Sequence, residues 1–142
     1  MEEPVGYILK QLQHALRGAM DQALRAHGLT TPQYSALTAI ASAGESSGAE
    51  LARRTFVTAQ TMNGIIVNLE TAGLITRRPD SADARVLRAE LTATGRARLD
   101  ACDRAVDAIQ RQMVSDLRPD EQRWFRDALG RCVTALSGTP RG

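Results

Sequence analysis

Two short helices, the second beginning soon after the first, constrain the fold of this 142-residue chain more than any other feature. Ser47 and Glu50 have the spacing of a capping box, in which each side chain accepts a hydrogen bond from the other residue's backbone amide. Thr58 provides a second N-cap a few residues later, and Gly73 ends the helix that follows. That helix carries apolar residues on one face at Met62, Ile65, Ile66 and Leu69. The pattern is typical of a helix-turn-helix.

The sequence changes character after Gly73. The segments Leu74–Arg77 and Val86–Leu91 have the composition of strands, and the polar stretch Pro79–Ala84 separates them. We expect a β-hairpin, called the wing below. A hairpin that directly follows a helix-turn-helix predicts a winged helix-turn-helix lobe over residues 31–92.

A long amphipathic helix precedes this lobe. Apolar residues recur at spacings of three and four over residues 5–24, which gathers them on one helix face. Thr31 then has the chemistry of an N-cap, with Pro32 at the first helical position. A second helix is therefore expected to begin there and to end near Gly44.

Two further amphipathic helices follow the wing, the first capped by Thr92 and the second opened by Pro119. Their apolar stripes consist of Leu99, Cys102, Val106, Ile109, Met113 and Leu117 on the first helix, and Phe125, Leu129, Cys132 and Leu136 on the second. The terminal helices together have more apolar surface than a small lobe can cover. A homodimer is the simplest way to bury this surface, and packing within one chain is the alternative.

The predicted fold is mainly α with a small β-hairpin wing. We expect a single domain over residues 1–142, in which the winged helix-turn-helix of residues 31–92 is flanked by dimerisation helices at 5–27 and 93–137. With 43% apolar and 24% charged residues, the composition is that of an ordinary globular protein.

Charge is concentrated in the middle of the chain. The net charge is +2, yet residues 51–98 contain eight arginines against four carboxylates, which is a local charge of +4. A solvated surface would also explain this pattern. The middle third is nevertheless where a polyanion would be attracted.

The first turn of the helix after Thr58 has the chemistry of a DNA recognition helix. Hydroxyls and backbone amides at a helix N-terminus bind phosphate, and glutamine and asparagine can pair with an adenine edge. A small alanine allows close approach or contacts a thymine methyl. An ordinary solvated turn is the alternative, and the hairpin that follows makes it less attractive.

Arginines also mark the wing. Arg85 and the pair Arg77 and Arg78 lie near its tip and base, where a guanidinium can enter a minor groove or hold the DNA backbone. Asp83 is spaced to hold the turn and orient Arg85, although the two could form only a weak surface ion pair. The predicted DNA-binding residues are Arg53, Arg54, Thr58, Ala59, Gln60, Thr61, Asn63, Asn68, Arg77, Asp83 and Arg85.

With these elements in order, the sequence resembles the multiple-antibiotic-resistance regulator (MarR) family of bacterial transcription factors over about residues 5–137. The most specific block is the acidic wing Asp80–Arg85 followed by Leu91-Thr92-Ala93-Thr94-Gly95. The resemblance is also carried by Gly28-Leu29-Thr30, Gln33, Leu37, Glu50-Leu51-Ala52 and Asn68–Arg77.

The resemblance implies a dimer held by the first and last two helices, whose two lobes bind a pseudo-palindromic operator in double-stranded DNA. It implies a repressor released by a small molecule, with Arg85 in the minor groove and Asp83 as its brace. The family often has arginine or lysine within the recognition helix, whereas this chain has Asn63, Gly64 and Asn68. The base preference therefore does not follow from the resemblance.

Members of the family commonly bind aromatic or phenolic carboxylates between the dimerisation helices and the DNA-binding lobes. The resemblance therefore makes His14, Arg17, Met20 and Tyr34 candidate ligand-binding residues. Arg17 could pair with a carboxylate and His14 could donate a hydrogen bond to it. The alternative is that His14 and Arg17 lie in solvent or at the dimer surface.

Other chemistries have little support. GxSxG, HExxH, a Gly-rich phosphate loop and Cys/His pairing are all absent from the sequence, so we expect neither an enzyme nor a cofactor. His14 and His27 are the only histidines and form no ligand spacing, so we expect no metal. Cys102 and Cys132 fall on apolar stripes, where cysteine is usually a small buried hydrophobe.

No apolar run approaches the ~20 residues of a membrane span, so we expect a cytoplasmic protein without a membrane partner. The main functional alternative is a winged-helix module that contacts protein or RNA. An acidic middle third would have favoured that alternative, whereas the wing arginines favour DNA.

Overall fold

The computed structural model describes residues 1–138, so residues 139–142 of the predicted domain lie outside the described part. The described chain contains two compact units, one over residues 1–107 and one that begins at Ala108. No helix within residues 1–138 is long and apolar enough to cross a membrane. In chain order the elements are α1 (Val5–Ala26), α2 (Thr31–Ala43), β1 (Ser46–Ser47), α3 (Gly48–Thr55), α4 (Ala59–Thr71), β2 (Ile75–Pro79), β3 (Leu87–Leu91), α5 (Ala93–Met113) and α6 (Pro119–Ser137).

The prediction of a mainly α fold with a small hairpin is confirmed. In the first unit, α2, α3 and α4 pack on one another and on the sheet. Burial of apolar side chains from all of these elements is the main favourable contribution to folding of this unit. Its largest fully buried apolar side chains are Leu24, Leu37, Ile40, Leu51, Met62, Leu69, Leu74 and Ile75.

The sheet has three antiparallel strands in the order β1-β3-β2, one more than predicted. Ser46 of β1 lies opposite Ala89 of β3, and Ile75 of β2 lies opposite Leu91. The hairpin strands start one residue later than predicted, and β2 extends to Pro79, which the sequence pattern places in the loop. Proline is tolerated there because β2 is an edge strand.

The predicted caps of α3 and α4 are confirmed. The Glu50 amide donates to Ser47 Oγ at 3.2 Å and the Ser47 amide to Glu50 Oε2 at 3.2 Å. The Thr61 amide donates to Thr58 Oγ1 at 3.1 Å. These bonds satisfy amides that have no partner within the helix, and they fix where each helix begins.

The predicted cap of α2 is wrong by one residue. Thr30, not Thr31, is the N-cap: the Gln33 amide donates to Thr30 Oγ1 at 3.3 Å, and the Thr30 amide donates to Gln33 Oε1 at 3.0 Å. Thr30 has a glutamine three residues later, which completes a capping box, whereas Thr31 has Tyr34 at that position. The Thr31 hydroxyl instead donates to Asp21 of α1 at 2.5 Å.

The start of α5 is fixed by Thr92 and Gly95. The Gly95 amide donates to Thr92 Oγ1 at 2.9 Å, which confirms the predicted cap. The Thr92 hydroxyl donates to the Gly73 carbonyl at 2.7 Å and its amide to the Leu74 carbonyl at 3.1 Å. A Cβ on Gly95 would lie 1.9 Å from the Leu74 oxygen, so only glycine permits this approach.

The two C-terminal helices differ in detail from the prediction. Helix α5 ends at Met113, so Leu117 lies in the connection and not on the α5 stripe. Pro119 opens α6 as expected. Cys102 is buried, but Cys132 is exposed in the single chain, contrary to prediction, because the α6 face that carries it is not covered.

Large apolar side chains are exposed on the terminal helices. On α1, Val5 is 81% and Ile8 51% exposed, and on α6 Val133 is 56% and Leu136 94% exposed. Large apolar side chains exposed on a helix are typical of a surface that contacts another molecule, and α1 and α6 each carry such residues.

Candidate nucleic-acid interface

Helix α4 has a buried apolar face and an exposed polar face. Met62, Ile66 and Leu69 are buried and hold the helix on the core of the first unit. The opposite face is exposed and carries the predicted recognition residues Thr58, Ala59, Gln60, Thr61, Asn63 and Asn68. The apolar periodicity thus positions the polar side chains toward solvent.

The N-terminal turn of α4 is capped by Thr58 and is free of acidic groups. Thr58 Oγ1 donates to Thr61 Oγ1 at 3.0 Å while accepting from the Thr61 amide. The sequence from Leu51 to Leu69 contains Arg53 and Arg54 and no carboxylate. Both arginines are exposed in the last turn of α3, and Arg54 Nη1 donates to the Ala39 carbonyl at 3.2 Å. This segment is suited to an anionic partner.

The wing tip presents one arginine on a carboxylate brace. Arg85 Nε and Nη2 donate to Asp83 Oδ1 and Oδ2 at 3.0 and 3.2 Å, and the Arg85 amide donates to Oδ1 at 3.1 Å. These donors lower the pKa of the Asp83 carboxyl. The Arg85 side chain remains 90% exposed. The bonds to Asp83 therefore orient the guanidinium before a ligand binds, while the side chain stays available to that ligand.

Sequence reasoning missed the residue that shapes the wing loop, Asp80. Its Oδ2 accepts from the amides of Ala82 and Asp83 at 3.0 Å each, and its Oδ1 accepts from Arg88 Nε at 2.6 Å. All three donors lower the pKa of the Asp80 carboxyl. The available signal was an aspartate at the start of a polar turn, a position from which it bonds amides two and three residues later.

The other wing arginines are already paired with carboxylates. Arg77 donates to Glu70 of α4 through Nε at 3.3 Å and Nη2 at 2.9 Å, and Arg78 pairs with Glu90 on the neighbouring strand. The Arg77 side chain is only 22% exposed. Arg77 therefore ties β2 to α4, and of the wing arginines Arg85 is the most exposed.

A cleft of about 430 Å³ separates α4 from the wing. Four predicted DNA-binding residues border it, which are Ala59, Asn63, Arg77 and Arg85. The N-terminal end of α3 and the strand residue Ser46 also line this cleft. The fold thus brings residues from both halves of the winged helix-turn-helix to one concave surface.

The candidate ligand residues fall into two groups. His14, Arg17 and Met20 follow one another at i, i+3 and i+6 along α1, with His14 and Arg17 exposed and Met20 packed against the core. The Tyr34 hydroxyl donates to Asp103 Oδ1 at 2.5 Å. Burial and this bond to Asp103 raise the pKa of Tyr34 well above its usual value, so Tyr34 is a neutral donor.

Tyr34 also borders a second cleft of about 430 Å³, which is lined by α2, the end of α3 and Phe56. Phe56 has a φ of 60° and its side chain is 95% exposed. Over residues 1–138, no group of three or more His, Cys, Asp or Glu side chains is arranged to hold a metal ion.

Comparison with known proteins identifies similar sequences and similar folds. The model of the MarR family matches residues 27–86, which contain α2 to α4 and most of the wing. The HTH-type transcriptional repressor Rv2887 of Mycobacterium tuberculosis is 35% identical over 128 residues, or 90% of this chain and 92% of the repressor.

Solved structures give the same result. The crystal structure of the M. tuberculosis MarR family protein Rv2887 in complex with DNA matches with a TM-score of 0.81 and 34% identity, covering 92% of this chain and 98% of that chain. The structure of the same protein with salicylic acid matches with a TM-score of 0.74 and 34% identity, covering 92% and 97%. Sequence and fold agree over nearly the whole length, and this chain belongs to the MarR family.

Proposed function

We propose that this chain is a homodimeric, sequence-specific regulator that binds double-stranded DNA and represses transcription. The observation that carries the proposal is the exposed Arg85, braced by Asp83, on the same cleft as the polar turn of α4. The similar repressor of M. tuberculosis, whose structure contains DNA, supports it. As a regulator of chromosomal operators, the protein works in the cytoplasm and is not an enzyme.

Each half of the lobe has a distinct role in this proposal. The N-terminal turn of α4 enters the major groove, where Gln60 and Asn63 contact base edges and the Thr58 and Thr61 hydroxyls contact phosphate. Arg53, Arg54 and Asn68 contribute contacts at the edges of this surface. Arg85 enters the adjacent minor groove, where the negative potential is strongest over narrow A·T-rich segments.

The terminal helices form the dimer. Residues 5–27 and 93–137 carry the exposed apolar side chains of α1 and α6, and a second copy of the chain would cover them. The two lobes of residues 31–92 would then be related by a twofold axis. A twofold dimer binds a pseudo-palindrome whose half-sites are about one helical turn, ~34 Å, apart.

A small phenolic carboxylate is the proposed effector. The salicylic acid complex of the similar mycobacterial protein supports this chemistry. On α1, the exposed Arg17 supplies a cation for the carboxylate and His14 a hydrogen-bond donor, next to the apolar Met20. The Tyr34 hydroxyl donates to Asp103, so its oxygen can accept a hydrogen bond from the ligand, and it can donate to the ligand only if the bond to Asp103 is displaced. Ligand binding would shift the dimer to a form with lower DNA affinity.

Selection of genomic DNA fragments on the full-length protein tests the proposal. We expect a small set of fragments that share a pseudo-palindrome, and we expect salicylate at millimolar concentration to release them. The variant Asn63→Ala should change which fragments are retained, whereas Arg104→Ala, at an exposed site on α5, should not. Retention of unrelated fragments in place of a shared sequence, or of no fragments at all, would contradict the proposal.

A further inference from the structure

We propose that Arg88 is a positioning residue for DNA binding, which connects the wing to α3 and so holds Arg85 in a fixed position relative to α4. The inference rests on the proposed function, since it assigns a role to a residue that would not touch DNA itself. Arg88 lies on β3, opposite Ser47 of β1 and Arg78 of β2.

One guanidinium contacts carboxylates from three segments of the chain. Arg88 Nε lies 2.6 Å from Asp80 Oδ1 in the wing loop and 3.7 Å from Glu45 Oε1 before β1. Its Nη1 lies 3.5 Å from Glu50 Oε2 in α3. The side chain is only 26% exposed, so these contacts are shielded from solvent better than those of the wing tip.

The carboxylates that Arg88 bonds are themselves organising groups. Asp80 holds the amides of Ala82 and Asp83, and Asp83 in turn orients Arg85. A continuous chain of hydrogen bonds therefore runs from the wing tip through Asp80 to Arg88.

On its other side, Arg88 reaches the helix-turn-helix. Glu50 Oε2, which Arg88 Nη1 contacts, also accepts from the Ser47 amide in the capping box of α3. Helix α3 packs directly on α4. The polar chain that begins at Arg85 thus ends at the helix that supports the recognition helix, and buried or partly buried networks of this kind rigidify the segments they join.

The wing loop has few other constraints. Beyond the paired residues Pro79 and Leu87, its backbone is held by the Asp80 amide bonded to the Val86 carbonyl at 2.8 Å and the Val86 amide bonded to the Asp83 carbonyl at 2.9 Å. A short hairpin of two strands is marginally stable without further support. Without Arg88, its three carboxylate partners would repel one another beside the DNA.

A double-mutant cycle on operator DNA tests the role of Arg88. In the wild-type background, Arg85→Ala should weaken binding about tenfold. In the Arg88→Met background the same substitution should cost less than about threefold, because Arg85 is no longer held in position. Arg88→Lys keeps the charge but lacks the planar guanidinium. In this background too, the loss of affinity caused by Arg85→Ala should be smaller than in wild type.

The matched control is Arg78→Met, on the strand residue opposite Arg88. Arg78 is 62% exposed and pairs with Glu90, so its loss should leave the effect of Arg85→Ala at about tenfold. An equal effect of Arg85→Ala in the wild-type and Arg88→Met backgrounds would overturn the inference. A full, about tenfold effect of Arg85→Ala in the Arg88→Lys background would also overturn the inference, because Arg88 would then act through its charge alone.

Amide exchange in the free protein provides a readout that does not depend on DNA. By NMR, the amides of Ala82 and Asp83 should exchange faster in Arg88→Met than in wild type, while amides in the middle of α4 keep their protection. Unchanged exchange at Ala82 and Asp83 would overturn the inference even if no operator were found. If Arg88→Met does not fold, Glu50→Gln weakens the contact of Arg88 with α3 and should likewise bring the cost of Arg85→Ala below about threefold.

Discussion

Substitution of Gly95 by alanine should destabilise the first unit severely. An added Cβ would lie 1.9 Å from the Leu74 oxygen and 2.9 Å from its carbonyl carbon. Heavy atoms in contact need more than 3 Å, so α5 and the strand entry at Leu74 would have to move apart by roughly 1 Å. Gly95 is buried at the start of α5, and no rotation of a side chain can relieve this collision.

The expected loss in the free energy of unfolding follows from the contacts made where the start of α5 meets Leu74. Overpacking costs about 1–3 kcal/mol. Three hydrogen bonds of Thr92 join it to Gly73, Leu74 and Gly95, at 2.7, 3.1 and 2.9 Å, and the movement weakens them by about 0.5–1.5 kcal/mol each. The higher helix propensity of alanine returns about 1 kcal/mol. These contributions sum to about 1.5–6.5 kcal/mol, and we expect Gly95→Ala to lower the free energy of unfolding by an amount in that range.

Urea denaturation measures this change in the free energy of unfolding. The protein concentration is kept the same for wild type and variant, because the stability of a dimer depends on concentration. The matched control is Gly64→Ala in α4, where a Cβ meets nothing within 4 Å. That substitution should leave stability unchanged or raise it by up to about 1 kcal/mol. Equal unfolding midpoints for Gly95→Ala and wild type would refute the reasoning.

Three further predictions concern single side chains. Phe56→Gly should raise the free energy of unfolding, measured by urea denaturation, by about 0.5–1 kcal/mol, because Phe56 holds a φ of 60° with its ring 95% exposed and glycine adopts that φ without strain. Tyr34→Phe should cost about 1–2 kcal/mol at neutral pH, since it leaves Asp103 without its donor. Because the pKa of Tyr34 is raised above the ordinary 10.0, that cost should shrink as the pH rises past 10.0 in pH-dependent unfolding. The lowered pKa of Asp80 gives the opposite pH dependence: the stability that Asp80 contributes is present above the ordinary pKa of 3.8 and is lost as the pH falls below it. Protection of the wing amides from exchange should therefore fall below pH 3.8 in wild type and change less in Asp80→Asn.

Local hydrogen-bond spacing explains what the sequence could predict. The capping box of Ser47 and Glu50, the cap at Thr58 and the Asp83 and Arg85 pair all join residues two or three positions apart. Such partners are visible in the sequence because no tertiary contact is needed to bring them together.

Features that depend on distant partners were not predictable. The strand β1 is two serines long and exists only because Ser46 pairs with Ala89 of β3. Arg88 has partners 8 and 38 residues away, so no spacing rule identifies it. The exposure of Cys132 depends on whether a second copy covers α6, which a sequence pattern does not reveal.

The salt dependence of operator binding by wild type and Arg85→Ala tests the central claim most directly. If Arg85 lies in a minor groove, its loss should weaken binding about tenfold and reduce the slope of log affinity against log salt by about one counterion. Arg104→Ala removes the same charge from an exposed site on α5 and should keep the wild-type slope and affinity. Identical slopes and affinities for wild type and Arg85→Ala would contradict the assignment of the wing to DNA.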